Sequence, residues 1–202
     1  PKTGDVLICD CDNVRINNTP GSILFIFFSA PELIRNEAIC STKTDWHSLA
    51  VLLFYIFIRH HPLEGKRQLE INVFNEIAQR RFYGEDPIFI FNPEDQRNGP
   101  MRGFHDQALR NWQIYPGFIK RLFVRAFTVG LTDPNQRVKE SEWLSAFSKL
   151  RDSLYYCSHC TMSNFFDFDS FHNGIHQNCW RCNTESALPF ILEIGDRKIL
   201  CN

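Results

Sequence analysis

No stretch of the chain stays apolar for long. The longest such run, Leu49 to Ile58, falls well short of the ~20 residues a membrane span needs. The sequence therefore predicts no membrane segment, and the run reads as a helix buried on every side. An excess of one charge is missing too: the net charge is −1. No global field would draw such a chain onto nucleic acid or an anionic membrane. No charged segment followed by an apolar stretch opens the chain, so no signal peptide is expected. Pro1 stands where a methionine would start a protein, which suggests a piece of a longer or processed chain. Internal repeats and low-complexity tracts are absent.

The 202 residues suit one medium domain with a small appendage. Apolar residues make up 44%, enough for a sizeable core, and nineteen phenylalanines make that core largely aromatic. Of eight cysteines, four form two tight pairs, Cys157 with Cys160 and Cys179 with Cys182. Cys9, Cys11, Cys40 and Cys201 are scattered. A secreted disulfide scaffold is denser and shorter. Metal binding in a reducing cytoplasm fits better, so a cytoplasmic location is expected.

Val6 to Cys9 reads as a strand, 17–22 as a turn and Ile23 to Phe28 as an extended run. Pro31 starts a short helix with Glu32 in its first turn. Asp45 is the expected N-cap of the long apolar helix, which should end near Arg59. Ile71, Phe74, Ile77 and Ala78 have helical spacing, which predicts a helix over 69–82. The segment 84–103 has three prolines, three glycines and no helical period, so it is expected to be a loop. Phe118, Leu122, Ala126 and Val129 form one stripe of a further helix. Trp143, Phe147 and Leu150 form the inner face of another, over 140–154. Beyond Tyr156 paired cysteines and short β-prone runs take over, and 190–200 reads as a hairpin around Gly195-Asp196. The expected class is mainly α, followed by a small β-rich zinc ribbon, divided into 1–153 and 154–202.

Cys157-x2-Cys160, eighteen residues, then Cys179-x2-Cys182 is a metal pattern. Two intervening residues let a tight turn aim both sulfurs at one point, and two such knuckles supply a tetrahedral S4 site suited to zinc. His172 and His176 offer a rival set with Cys157 and Cys160, but Gly174 weakens the helix it needs and Cys179 and Cys182 would be idle. His159 reads as a solvated loop residue. A closed S4 site has no open position, so it is structural and holds a module too small to fold on its core alone. Arg181, Arg197 and Lys198 stand beside Asp167, Asp169, Glu185, Glu193 and Asp196, so no phosphate-tracking stripe forms and no nucleic acid is expected. Phe165, Phe166, Phe168, Phe171 and Trp180 supply either core or contact surface.

Ile8-Cys9-Asp10-Cys11-Asp12-Asn13 is similar to a kinase metal-binding strand and loop, and from there the first 150 residues resemble the C-terminal half of a protein kinase C-lobe. Ala30-Pro31-Glu32 resembles the motif closing the activation segment. Asp45-Trp46-His47-Ser48-Leu49-Ala50 resembles the start of the central helix, and His61-Pro62-Leu63-Glu64-Gly65 the loop after it. Asp133-Pro134-Asn135-Gln136-Arg137 resembles the turn before the last helix. The Asp-x-Asp-Asn variant resembles bacterial Ser/Thr-kinase-like proteins, some of which carry a zinc ribbon. The resemblance implies protein partners, namely a von Willebrand A-type domain protein and a metal-dependent Ser/Thr phosphatase.

It also implies roles. Asp10 matches the carboxylate that binds magnesium on ATP, so Mg-ATP belongs to the complete parent. Glu32 and Arg137 match a structural ion pair, and loss of either partner would cost about 3–5 kcal/mol. Asp45 matches the acid that holds the catalytic-loop backbone. Thr19, Ser22 and Ser29 lie in the matching activation segment. Asp12 replaces the usual metal-loop glycine and Cys11 the usual phenylalanine; His47 and Ala50 depart as well. The sequence has no Gly-rich phosphate loop, strand lysine or His-Arg-Asp loop, so this chain alone is not expected to transfer phosphate. The parent would be an active kinase or a pseudokinase scaffold. Helices that cover Leu49 to Ile58 in the complete fold are also missing, which predicts an uncovered apolar face and self-association or a protein partner.

Overall fold

The structure, a computed structural model, describes residues 25–173, 177–185, 190–195 and 197–201. The strand expected at Val6 to Cys9, Asp10, Asp12, Thr19, Ser22, His176 and Asp196 lie outside them. The fold is mainly helical, with a small two-stranded antiparallel sheet and a terminal hairpin near the C-terminus.

Ile26 to Phe28 turn instead of running extended. The Ser29 hydroxyl and the Phe28 N–H both donate to the Phe25 carbonyl, at 2.8 and 2.9 Å, and close the turn locally. Ser29 is buried, so it is not an accessible phosphorylation site. The turn feeds α1 (Pro31–Ile34), whose first-turn proline supplies a fixed φ.

Next comes α2 (Thr42–Ile58), the apolar helix. Its N-cap is Ser41 and not Asp45. The Ser41 hydroxyl accepts from the Thr44 N–H, and the Thr44 hydroxyl accepts from the Ser41 N–H at 2.8 Å. This reciprocal box satisfies two orphan donors, which an aspartate four positions later cannot reach. The helix ends at Arg59 in the left-handed region, with φ 61°. It is not buried on every side. Ala50, Val51, Phe54 and Ile58 are buried, whereas Leu52 and Ile56 stand 46% and 54% exposed.

The helix expected over 69–82 is broken. It is split into α3 (Lys66–Leu69) and α4 (Glu76–Gln79), the latter running into a π-helical turn at Arg80–Glu85. Asn75 restarts the helix by accepting the Ala78 N–H at 3.0 Å, so an asparagine inside an apolar period acted as a cap. The segment that follows is irregular, with one 3-10 turn at Gln96–Asn98. An amphipathic helix that sequence patterns do not mark, α5 (Asp106–Ile114), follows Gly103.

The stripe from Phe118 belongs to α6 (Gly117–Phe127). Phe118 and Ala126 are buried, but Val129 is exposed because the helix stops and restarts as α7 (Val129–Thr132). A 3-10 turn at Pro134–Gln136 leads into α8 (Glu140–Asp152), which ends just before β1 (Leu154–Tyr156). Strand β2 (Ser163–Phe165) pairs antiparallel with β1, Leu154 facing Phe165. Then come α9 (Phe168–His172) and the hairpin β3 (Phe190–Ile194) and β4 (Arg197–Cys201), turned at Gly195 with φ +58°. β4 lies alongside α8. Among the described residues no helix is long and apolar enough to cross a membrane.

The main core is aromatic, as the phenylalanine content implies. Phe54 of α2 sits at its centre, with the rings of Phe89, Trp112, Phe123 and Phe127 at 5.2–6.2 Å, mostly edge to face. A second cluster of Tyr155, Phe166 and Phe168, with Phe171 against it, forms within the cysteine-bearing segment. Those phenylalanines are core and not contact surface.

Candidate metal centre

The two cysteine pairs form matched turns. In the first, the Thr161 N–H donates to the Cys157 carbonyl; in the second, the Asn183 N–H donates to the Cys179 carbonyl, each at 2.9 Å. The Cys157 N–H reaches Met162 O, and the Cys179 N–H reaches Thr184 O, again at 2.9 Å. Thr161 and Asn183 both take φ 58°, which curls each turn so that its two sulfurs face one way. Asparagine tolerates that conformation; a β-branched threonine is strained in it.

Cys157, Cys160, Cys179 and Cys182 bring their sulfurs within 4.8 Å of one another. The closest pairs cross between the turns: Cys157 to Cys182 at 3.7 Å and Cys160 to Cys179 at 3.6 Å. These are no disulfides, whose sulfurs are ~2.05 Å apart. Sulfurs bound at ~2.3 Å to a tetrahedral ion stand about 3.8 Å apart. The donor set and its spacing fit one metal ion. His159 is exposed and stands outside the cluster. The rival set with His172 and His176 is not described at its side chains.

Four close thiols cannot all ionise without a cation. The Cys182 thiol is pulled down to about 5 by hydrogen bonds from the Thr184 hydroxyl and N–H. The Met162 N–H favours ionised Cys160, yet burial and the neighbouring sulfurs outweigh it and push that thiol up to about 12. A bound cation would remove this conflict by holding all four as thiolates.

Side-chain and backbone donors surround the sulfurs. Asn164 of β2 is buried and donates to Cys179 Sγ at 3.5 Å and to Met162 O at 2.8 Å, while its Oδ1 accepts from the Trp180 N–H. The Arg181 N–H also points at Cys179 Sγ, at 3.4 Å. Such donors orient thiolates around a metal. An asparagine in a short strand carries no spacing signal, so only the fold reveals it.

By sequence alone Asp167 is one charge among several. Its carboxylate takes three backbone N–H groups: Gly117 at 2.7 Å, across the boundary to α6, and Asp169 and Ser170 at 3.2 and 3.3 Å. The same residue's backbone is clasped by the Gln177 side chain at 3.0 and 2.7 Å. It therefore caps α9 and ties the cysteine-bearing segment to the helical body.

In the helical body, Arg137 and Glu32 come together from positions 105 residues apart. Nη1 and Nη2 donate to the two carboxylate oxygens at 2.8 Å, while Nη1 also donates to Lys43 O and Nε to Gly130 O, each at 2.9 Å. Burial pushes the Glu32 carboxyl up, but the Arg137 hydrogen bonds and charge outweigh it and hold it below the usual glutamate range. Asp45 lies in the first turn of α2. Burial raises its carboxyl, which takes no hydrogen bond or ion pair among the described residues. Asp10 lies outside them.

No protein-family model, curated protein or solved structure matches the chain.

Proposed function

We propose that the chain is the C-terminal part of a bacterial Ser/Thr protein kinase fold, over 1–153, ending in a structural zinc ribbon, over 154–202, and that it works as a protein-interaction module. The buried Glu32–Arg137 pair carries the kinase part of this reading. It joins Ala30-Pro31-Glu32 to the turn ending in Arg137, and Arg137 also grips Lys43 O beside the start of α2. Two of the five quoted motifs thus meet in one ion pair, and Arg137 adds a hold on the first turn of α2, two residues before a third, as a common architecture would require. Leu52 and Ile56, exposed on α2, support the interaction part.

Zinc suits the cysteine cluster because four thiolates in a tetrahedron are its usual structural site. All four positions would be filled by sulfur, so the ion would bind no substrate. Metal analysis of the purified chain should find one zinc per chain, and cobalt substitution should give the absorption of a tetrahedral S4 site. A chain without bound metal, or a Cys182→Ser variant that retains it with unchanged spectra, would overturn the assignment.

The kinase reading is tested on a longer chain that includes the upstream sequence. Phosphate transfer from ATP with magnesium that vanishes in Asp10→Asn would make these residues the substrate-side half of a working kinase. No transfer from either version, with a von Willebrand A-type partner and a metal-dependent phosphatase added as substrates, would leave a pseudokinase scaffold.

A further inference from the structure

A cleft of about 250 Å³ opens where the turn between α5 and α6 meets the cysteine-bearing segment. It is smaller than the ~300–1,000 Å³ that holds drug-sized ligands, so it suits a molecule of about one amino acid. Its walls come from both parts of the chain: Tyr115 and Lys120 on one side, Ser170 and Trp180 on the other.

The walls are held in place before any ligand arrives. Asp167 binds Gly117 across the junction, Gln177 clasps Asp167, the Trp180 indole donates to Ser163 O at 2.8 Å, and Tyr115 stacks on Phe165. Against this fixed frame, Lys120 stands out. The residue is half-buried, and its ammonium makes no hydrogen bond or ion pair among the described residues. Its neighbour there is the face of Trp112, 6.0 Å away. The hydroxyls of Tyr115 and Ser170 also lack partners among the described residues. Burial lowers the lysine's proton affinity, which Asp167 only partly restores.

Among the described residues lining the cleft, Lys120 is the one cation and Asp167 the one anion. The Asp167 oxygens serve three N–H groups and make no ion pair with the lysine. A dianion such as phosphate would bring two charges toward that carboxylate. A single carboxylate would satisfy Lys120 with less repulsion, and the Tyr115 and Trp180 rings, set in a lining that is otherwise mostly polar, offer their faces to a flat group.

We propose that this cleft binds a small monocarboxylate bearing a flat group, with Lys120 receiving the carboxylate and the aromatic walls enclosing the rest. The ligand would be a free acid or the last residue of a peptide, the two presenting the same chemistry. The site is independent of the kinase reading, and it places a ligand against Trp180, which lies between two of the cysteines.

The test is a nitrogen–proton NMR titration of the metal-loaded full chain, with the Trp180 indole signal assigned from Trp180→Phe. Sodium benzoate should move the Trp180 indole and the Gly117 amide saturably, whereas benzamide and phosphate should not. Lys120→Met should weaken benzoate roughly ten- to hundredfold, the loss of a charged hydrogen bond. Gly-Gly-Phe with a free C-terminus, compared with its amide, separates the sources: tighter binding than benzoate, lost on amidation, assigns a peptide end. No saturable shift, equal shifts from benzoate and benzamide, or unchanged affinity in Lys120→Met would overturn the proposal. Should Lys120→Met disturb the spectrum broadly, the benzoate–benzamide contrast on the unaltered chain decides.

Discussion

At the scale of single residues, close contacts explain positions that sequence patterns only mark. Gly65 ends the loop after α2, and a Cβ there would sit 1.8 Å from the Asn98 carbonyl oxygen. Asn98 cannot yield, because its amide donates to Leu63 O at 2.6 Å and Ile88 O at 2.7 Å. Gly65→Ala should therefore destabilise by more than ~2 kcal/mol, within the range for overpacking, as read from urea unfolding. Thr161 shows the reverse case. It is held at φ 58° where glycine is at ease, so Thr161→Gly should stabilise the metal-loaded chain by about 1 kcal/mol. A loss of stability in that variant would mean that the Thr161 hydroxyl, which donates to Cys160 O at 2.7 Å, matters more than the strain.

The Glu32–Arg137 pair also belongs to this scale. Arg137→Met would leave the Glu32 carboxylate buried without its partner and should cost about 3–5 kcal/mol. Replacing both residues by apolar ones should cost less than the sum of the single changes, and equal or greater loss in the double variant would contradict the coupling.

Among the elements, α2 joins the two roles proposed for the helical body. Its inner face centres on Phe54, which is fully buried among five rings. Its outer face presents Leu52 and Ile56. Phe54→Ala should destabilise by about 3–5 kcal/mol. The double change Leu52→Glu and Ile56→Glu should leave thermal stability nearly unchanged and abolish self-association in sedimentation velocity. A wild-type chain that sediments as a monomer at all concentrations would count against self-association. The elements also show where sequence reading stopped. Helices α2, α6 and α8 were legible because long apolar stripes report which face is buried. The break at Asn75 and the whole of α5 were not. A cap residue inside an apolar period looks like a polar position on a helix until its side chain is seen to hold a backbone N–H.

For the whole molecule, acid is the informative variable. Burial lowers the affinity of His47 and His61 for protons, to about 3 for His47, where Arg137 adds to the effect. In the unfolded chain these imidazoles take protons near pH ~6.5. Below that value the unfolded state binds more protons, so stability should fall as pH drops from ~6.5 toward 3. Glu32, held low in the fold, adds to the loss below its unfolded value of ~4.3. Acid also releases thiolate-bound metal. The urea midpoints of the native chain and of His47→Phe should therefore be compared at pH 7.5 and 5.5, since both keep the four cysteines. The variant should show the shallower dependence; identical slopes would remove His47 from the account.

By itself the sequence determined the class of the fold, the long helices and the four cysteines, since each is written in local spacing: a 3.6-residue stripe, or two Cys-x2-Cys turns. It also named Glu32 and Arg137, though through a resemblance and not through any local pattern. Only the tertiary structure decided that Ser41 caps α2, that Asn164 and the Arg181 N–H attend the sulfurs, and that Asp167 binds the cysteine-bearing segment to α6. These depend on backbone groups meeting across long loops, and a hydrogen bond between distant residues leaves no periodic trace in the chain that forms it.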